Sequence, residues 1–171
     1  MATVTAAADL LIDALGRVRE NAHHVVGELS AEQLAYRVDG RGNPIGWLVW
    51  HLARVADDHL SEAAGVEQRW TAAGWAQRFG REPDPEDTGY GHTTAQVAAF
   101  RSQAAELHGY VDAVLDESVA FLRGLSDADL ERIVDERWDP PVTLAVRLVS
   151  VVDDAAQHVG QAAYVRGLLP G

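Results

Sequence analysis

Apolar residues fall three and four apart along most of this chain, the spacing of helices that bury one face. Over residues 4–28 the stripe runs through Leu10, Leu11, Ala14, Leu15, Val18, Ala22, Val25 and Val26 and predicts a first long helix. Asn43-Pro44 reads as an N-cap and first helical residue. It opens a second helix through Trp47, Leu48, His51, Leu52, Val55 and Leu60 that stops at Gly65. Thr93 or Thr94 caps a third, carried by Val97, Phe100, Leu107, Val111, Val114, Leu115, Val119 and Leu122 to Gly124. Asp139-Pro140-Pro141 opens a fourth, which bears Asp154 and His158 and ends near Gly167. Four such helices predict an all-α four-helix bundle, and 171 residues, 47% of them apolar, suit one domain over 1–171.

Between helices two and three, over residues 66–92, the period dissolves into Trp70, Trp75, Phe79, Pro83, Pro85, Gly89 and Tyr90 among polar residues. A connection this long is seldom passive. It is either a lid or pocket wall or a crossover packed on the bundle, with a short helix near 70–79.

Sliding the chain along itself shows an internal repeat. Leu29-Ser30 recurs as Leu125-Ser126, an offset of 96 residues, and the same offset relates Leu34 to Leu130, Val38-Asp39 to Val134-Asp135, Arg41 to Arg137, Pro44 to Pro140, Leu48 to Leu144 and Leu52 to Leu148. Each half would hold a long helix, a capped turn starting Leu-Ser, a short helical piece, an extended Val-Asp-x-Arg stretch and a second helix started by Pro. So long a period is a duplicated helical pair rather than a solenoid. It predicts pseudo-twofold symmetry, with helices two and four facing each other. Arg147 stands where the repeat would place a second His51.

Charge narrows the partners. Twenty-six acids against fourteen bases leave a net charge of -12, which repels a phosphate backbone and argues against nucleic acid. Met1-Ala2-Thr3-Val4-Thr5-Ala6-Ala7-Ala8-Asp9 lacks a basic segment followed by an apolar core, and no stretch approaches eighteen uncharged apolar residues. The expectation is a soluble cytoplasmic monomer or homodimer with no membrane partner. Among the histidines, His23, His24, His59, His92 and His108 are expected at the surface.

The chemistry centres on Asp154, His158 and His51. Asp154 and His158 are four residues apart, which stacks them on one helix face about 6 Å apart along the axis, and His51 would be a third ligand to one divalent ion. Each piece also has a plainer reading. His51, in Trp50-His51-Leu52, taken alone is a core histidine bonded to a carbonyl or carboxylate, and Asp154 with His158 taken alone is a helix-surface pair. Against the latter, Val149, Val151, Val152, Ala155, Ala156, Val159 and Ala162 leave little polar surface around them, and an acid so placed wants a cation or a partner. Two imidazoles and a carboxylate suit zinc or another first-row divalent ion with a position left open. The chain has no cysteine, so any sulfur chemistry must use a substrate's thiol.

The Pro-started helix centred on Trp47-Leu48-Val49-Trp50-His51-Leu52, and the late Asp154-x-x-x-His158-x-Gly160-Gln161 helix, resemble the DinB/YfiT-like metalloprotein superfamily over the whole chain. A carboxylate at the first ligand position of the late helix resembles the branch containing mycothiol-dependent maleylpyruvate isomerase. The stretches Trp138-Asp139-Pro140-Pro141-Val142-Thr143-Leu144 and Gly160-Gln161-Ala162-Ala163-Tyr164-Val165-Arg166-Gly167 are most similar to the actinobacterial mycothiol S-transferases. The resemblance implies His51, Asp154 and His158 as metal ligands and catalytic centre, with zinc as the metal and mycothiol as cosubstrate. Glu is frequent in the family where this chain has Asp154, and Asp58, on the His51 face, is a candidate compensating oxygen. The activity so implied is conjugation of mycothiol to electrophilic small molecules, with Trp47, Gln157, Gln161, Tyr164 and Arg166 as candidates to hold the cosubstrate. The alternatives are a metal-dependent hydrolase and a non-enzymatic metal- or thiol-binding protein that dimerises through an apolar helix face.

Overall fold

Four long helices, α1 (Ala6–Val26), α3 (Ile45–Ala64), α7 (Ala104–Arg123) and α8 (Leu144–Gly167), form the bundle in a computed structural model that describes residues 4–170. The first three residues of the segment read for a leader, and Gly171, lie outside the described residues. Short helices α2 (Ala31–Leu34), α4 (Arg69–Ala72), α5 (Trp75–Arg78) and α6 (Thr94–Ala99) and the strands β1 (Ile133–Asp135) and β2 (Val142–Thr143) fill the connections. α3 packs on α8 and α7, and α1 packs on α7 and α8, so the two helices of each half of the repeat lie diagonally and α3 borders α8.

Local chemistry explains the starts. Thr5 accepts from Ala8 N, Ser30 and Gln33 form a capping box, and Thr93 and Gln96 form another. α3 is the most buried of the four. Ile45, Val49 and Trp50 are fully enclosed, because its apolar residues run round the helix rather than along one stripe.

Three expectations are corrected. The third helix is two: Phe100 takes extended backbone after α6, turning its ring into the core 5.0 Å from Trp50, and a Gln103–Glu106 capping box starts α7 afresh. Arg101 donates to the carbonyls of Ala98 and Phe100, which closes the broken end. Pro140-Pro141 does not open the fourth helix; it lies in the turn of an antiparallel β1–β2 hairpin, and Thr143 caps α8 by accepting from Val146 N. Asn43-Pro44 is shifted by one, with Pro44 in the cap position and Ile45 the first helical residue.

The repeat is visible in the packing. Leu48 and Leu144, and Leu52 and Leu148, are buried at equivalent places. The extended Val-Asp-x-Arg stretch is realised only in the second half, where Val134-Asp135 belongs to β1. In the first half Val38–Gly40 is a 3₁₀ turn with Asp39 at φ 51°.

The segment from 66 to 92 packs as a wall. Trp70 is fully buried, edge-on to Trp50, and Trp75 and Phe79 stack around Tyr110. Asp57 of α3 anchors its start by accepting from the backbone N–H of Arg69 and of Trp70, both at 2.8 Å.

Candidate functional site

His51, Asp154 and His158 meet where α3 borders α8, each offering a ligand atom within 4.8 Å of the others. His51 is buried and the other two are half-buried. His51 donates from Nδ1 to the Thr88 carbonyl at 2.6 Å and lies stacked on Trp47, ring centroids 4.6 Å apart. His158 donates from Nδ1 to the Asp154 carbonyl one turn back, at 2.8 Å. With both Nδ1 atoms so engaged, each ring presents Nε2 as its lone-pair nitrogen. The rings meet edge to face with centroids 4.6 Å apart.

Asp154 Oδ2 is buried and accepts no hydrogen bond, although it stands 3.2 Å from His158 Nδ1, whose proton goes to the carbonyl. An orphaned buried carboxylate oxygen on a residue clustered with two imidazoles fits a divalent cation, since charge there is otherwise uncompensated. For His51, protonation favours the same reading. Burial pushes the His51 imidazole below its usual range, the Thr88 carbonyl only partly offsetting this, and a neutral imidazole is the ligating form. For His158 burial also pulls down, but the nearby Asp154 carboxylate charge and the hydrogen bond to the Asp154 carbonyl outweigh it and the imidazole ends above its usual range.

The remaining candidates divide. Trp47 is at the site, against His51, and donates from Nε1 to His92 Nδ1 at 3.2 Å. Gln161 and Gln157 lie on the exposed side of α8, Gln157 donating to Asp153. Tyr164 is 70% exposed, ten residues or about 15 Å along the helix from Asp154. Arg166 is farther still and is held at the end of α1, donating to the Val25 carbonyl at 2.7 Å, where a cation suits a helix C-terminus. Asp58 accepts from Gln68 Nε2 and faces His59; it is not in the three-residue cluster.

Several histidines expected at the surface are structural. His92, with only 8% of its side chain exposed, stacks on Trp50 and donates from Nε2 to Asp87 Oδ1 at 2.8 Å. His59 Nδ1 accepts from Arg147, the residue in the repeat position of His51. His23 and His108 meet through their Nδ1 atoms at 2.7 Å across α1 and α7. The carbonyl of Thr88, which orients His51, was invisible to sequence reasoning because backbone groups carry no residue signature.

The model of the DinB superfamily matches residues 14–162. The chain belongs to the DinB superfamily. A crystal structure of a conserved protein from Enterococcus faecalis is similar to this DinB-superfamily chain with a TM-score of 0.85 at 27% identity, over 94% of this chain and 95% of that one. None of the curated proteins matches it. No helix among the described residues is long and apolar enough to cross a membrane.

Proposed function

We propose that this DinB-superfamily chain is a metal-dependent S-transferase that joins the thiol of mycothiol to electrophilic small molecules. One observation carries the metal part: Asp154 Oδ2, buried without a donor, beside two imidazoles whose Nδ1 protons are already committed. His51 and His158 would bind the ion through Nε2 and Asp154 through its carboxylate, a set that suits zinc with a coordination position open. A divalent ion held there supplies the positive charge that lets a coordinating thiol lose its proton near neutral pH.

The chain's own contribution is orientation and exclusion of water. The Thr88 and Asp154 carbonyls hold the two rings in the tautomer that exposes Nε2. Trp47 covers the His51 face, and Trp50 behind it keeps that side dry. In the reaction the cosubstrate's thiol gives up its proton to solvent, its sulfur bonds to an electrophilic carbon, and the leaving group departs from that carbon with the bonding pair. The sulfur must come from the cosubstrate because the chain has no cysteine. Gln161 and Gln157, on the accessible side of α8, are the groups we assign to its polar parts, with Tyr164 beyond them.

A hydrolase using the same three ligands is the second reading. It is favoured by Arg166 being tied to the Val25 carbonyl, which removes one of the groups assigned to hold the cosubstrate. A non-enzymatic metal- or thiol-binding protein is the third. Conjugation of a bimane-type electrophile with mycothiol, run beside glutathione and cysteine, before and after chelation and zinc return, separates them. Mycothiol-selective conjugation that chelator abolishes and zinc restores is the expected result. No conjugation with any thiol despite bound metal overturns the transferase reading, and His158→Ala retaining activity overturns the site.

A further inference from the structure

The ring of His51 is held by a segment of chain that is itself held from below. Thr88, whose carbonyl takes the His51 Nδ1 proton, belongs to an irregular stretch after α5 with no helix or strand to stiffen it. Beneath it lies Arg54, three residues after His51 on the same face of α3 and 0% exposed. Each of the five N–H groups of its guanidinium has an acceptor. Nε donates to the Asp87 carbonyl at 3.0 Å and one Nη2 proton to the Pro85 carbonyl at 2.8 Å. The other Nη2 proton goes to Gln68 Oε1, and the Nη1 pair to Asp57 and Tyr110. A fully buried cation thus spends two of its donors on main-chain carbonyls immediately before Thr88.

Above the ring the same segment closes tightly. Gly89 is buried at φ +89°, and a Cβ there would lie 2.9 Å from His51 Nδ1, 2.8 Å from Trp50 and 3.0 Å from Trp47. Only glycine tolerates both that backbone angle and that approach. The strap is pinned at its side as well, because the Asp87 carboxylate accepts from Arg81 and from His92, and His92 in turn accepts from Trp47.

We propose that Arg54 and Gly89 are positioning residues for His51, acting through the 85–89 strap to set the direction of its Nε2 lone pair toward Asp154 and His158. This rests on the metal-centre reading above for its purpose but not for its geometry, which the chain's own residues set. Supporting groups of this kind change metal affinity by about tenfold to a hundredfold when removed.

The test uses Arg54→Lys, which keeps the buried charge opposite Asp57 but loses the planar fork that reaches two carbonyls, and Gly89→Ala, which leaves Arg54 intact. Tyr110→Phe is the control, since it cuts the same buried network on the side away from the strap. Two readouts are taken on the full chain: the His51 tautomer from long-range ¹H–¹⁵N spectra without metal, and the affinity for cobalt(II) or zinc by competition with a chromophoric chelator. In the wild type His51 is a single Nδ1–H tautomer. Arg54→Lys and Gly89→Ala give a mixed or reversed tautomer and bind metal tenfold to a hundredfold more weakly, while Tyr110→Phe lowers the melting temperature and leaves both readouts unchanged. Wild-type tautomer and affinity in Gly89→Ala, or in a folded Arg54→Lys, overturn the proposal, as does Tyr110→Phe moving both readouts as far as Arg54→Lys. If the wild type binds no metal the centre itself fails, and the tautomer comparison still decides the strap.

Discussion

Replacing Asp57 by Asn tests whether the aromatic wall hangs on one buried carboxylate. Asp57 is 3% exposed and is nearly isosteric with Asn, so the change makes no cavity. Its carboxylate accepts from Arg69 N, Trp70 N and the Tyr110 hydroxyl at 2.8 Å each, from Ser61 Oγ at 3.3 Å, and from Arg54 Nη1 at 3.4 Å. An amide keeps one accepting oxygen and turns the other position into a donor, which confronts the Trp70 N–H, the Tyr110 hydroxyl and the Arg54 guanidinium. Removing one partner of a buried ion pair costs about 3–5 kcal/mol because the other charge stays buried, and a stranded backbone N–H alone is worth about 1–3 kcal/mol. We take about 3–5 kcal/mol as the total, since the two effects share one group and do not add. For a chain of this size that lowers the melting temperature by about 6–20 °C, at about 2–4 °C per kcal/mol. Urea unfolding followed by circular dichroism at constant slope measures it, beside Asp153→Asn, an exposed change expected to stay within about 0.5 kcal/mol. A loss below about 1 kcal/mol for Asp57→Asn would refute the reasoning, because the wall would then be held by apolar packing and not by this carboxylate.

Other outcomes follow from the same geometry. Burial, then the Arg147 charge, holds the His59 imidazole below its usual range; the unfolded chain therefore binds more protons around pH 6, so stability is present above about 6.5, falls as pH drops through the folded value, and His59→Gln flattens that slope in a series of urea midpoints. Gly109→Ala destabilises by about 1–3 kcal/mol despite the usual helix preference for Ala, because a Cβ there would lie 2.6 Å from the Trp75 ring. Gly16→Ala, with nothing within 4 Å of its Cβ, gains about 0.5–1 kcal/mol, and equal effects in thermal melts of the two would contradict the packing argument. Zinc at a hundred times its dissociation constant raises stability by about 2.7 kcal/mol through linkage, chelator removes the gain, and His158→Ala shows no gain while keeping its far-ultraviolet spectrum; a full zinc shift in that variant would place the metal elsewhere.

The periodicity of the chain determined the four helices, because Leu, Val and Ala at helical spacing gather into one stripe that can be buried only if the segment is helical, and a helix satisfies its backbone hydrogen bonds locally. The repeat likewise marked Leu48 with Leu144 and Leu52 with Leu148, whose equivalent burial needs no knowledge of the turns between them. The i, i+4 pair Asp154–His158 was also legible, since helix geometry alone puts the two on one face. What joined them to His51, about a hundred residues away, was the packing of α3 on α8, a long-range contact that no local pattern encodes. The break at Phe100 escaped the periodic reading because that position obeys the helical stripe while its backbone leaves the helix to reach the core between Trp50 and Phe79. Pro140-Pro141 misled for a related reason: Pro suits a helix start and a hairpin turn equally, and only the pairing of β1 with β2 decides between them. His92, which the sequence alone leaves at the surface, is enclosed because Asp87 and Trp47 give its two nitrogens partners. Backbone carbonyls decided the rest. Thr88, Asp87 and Pro85 act through main-chain oxygens, identical in every residue, so their roles around His51 and Arg54 exist only once the chain has folded.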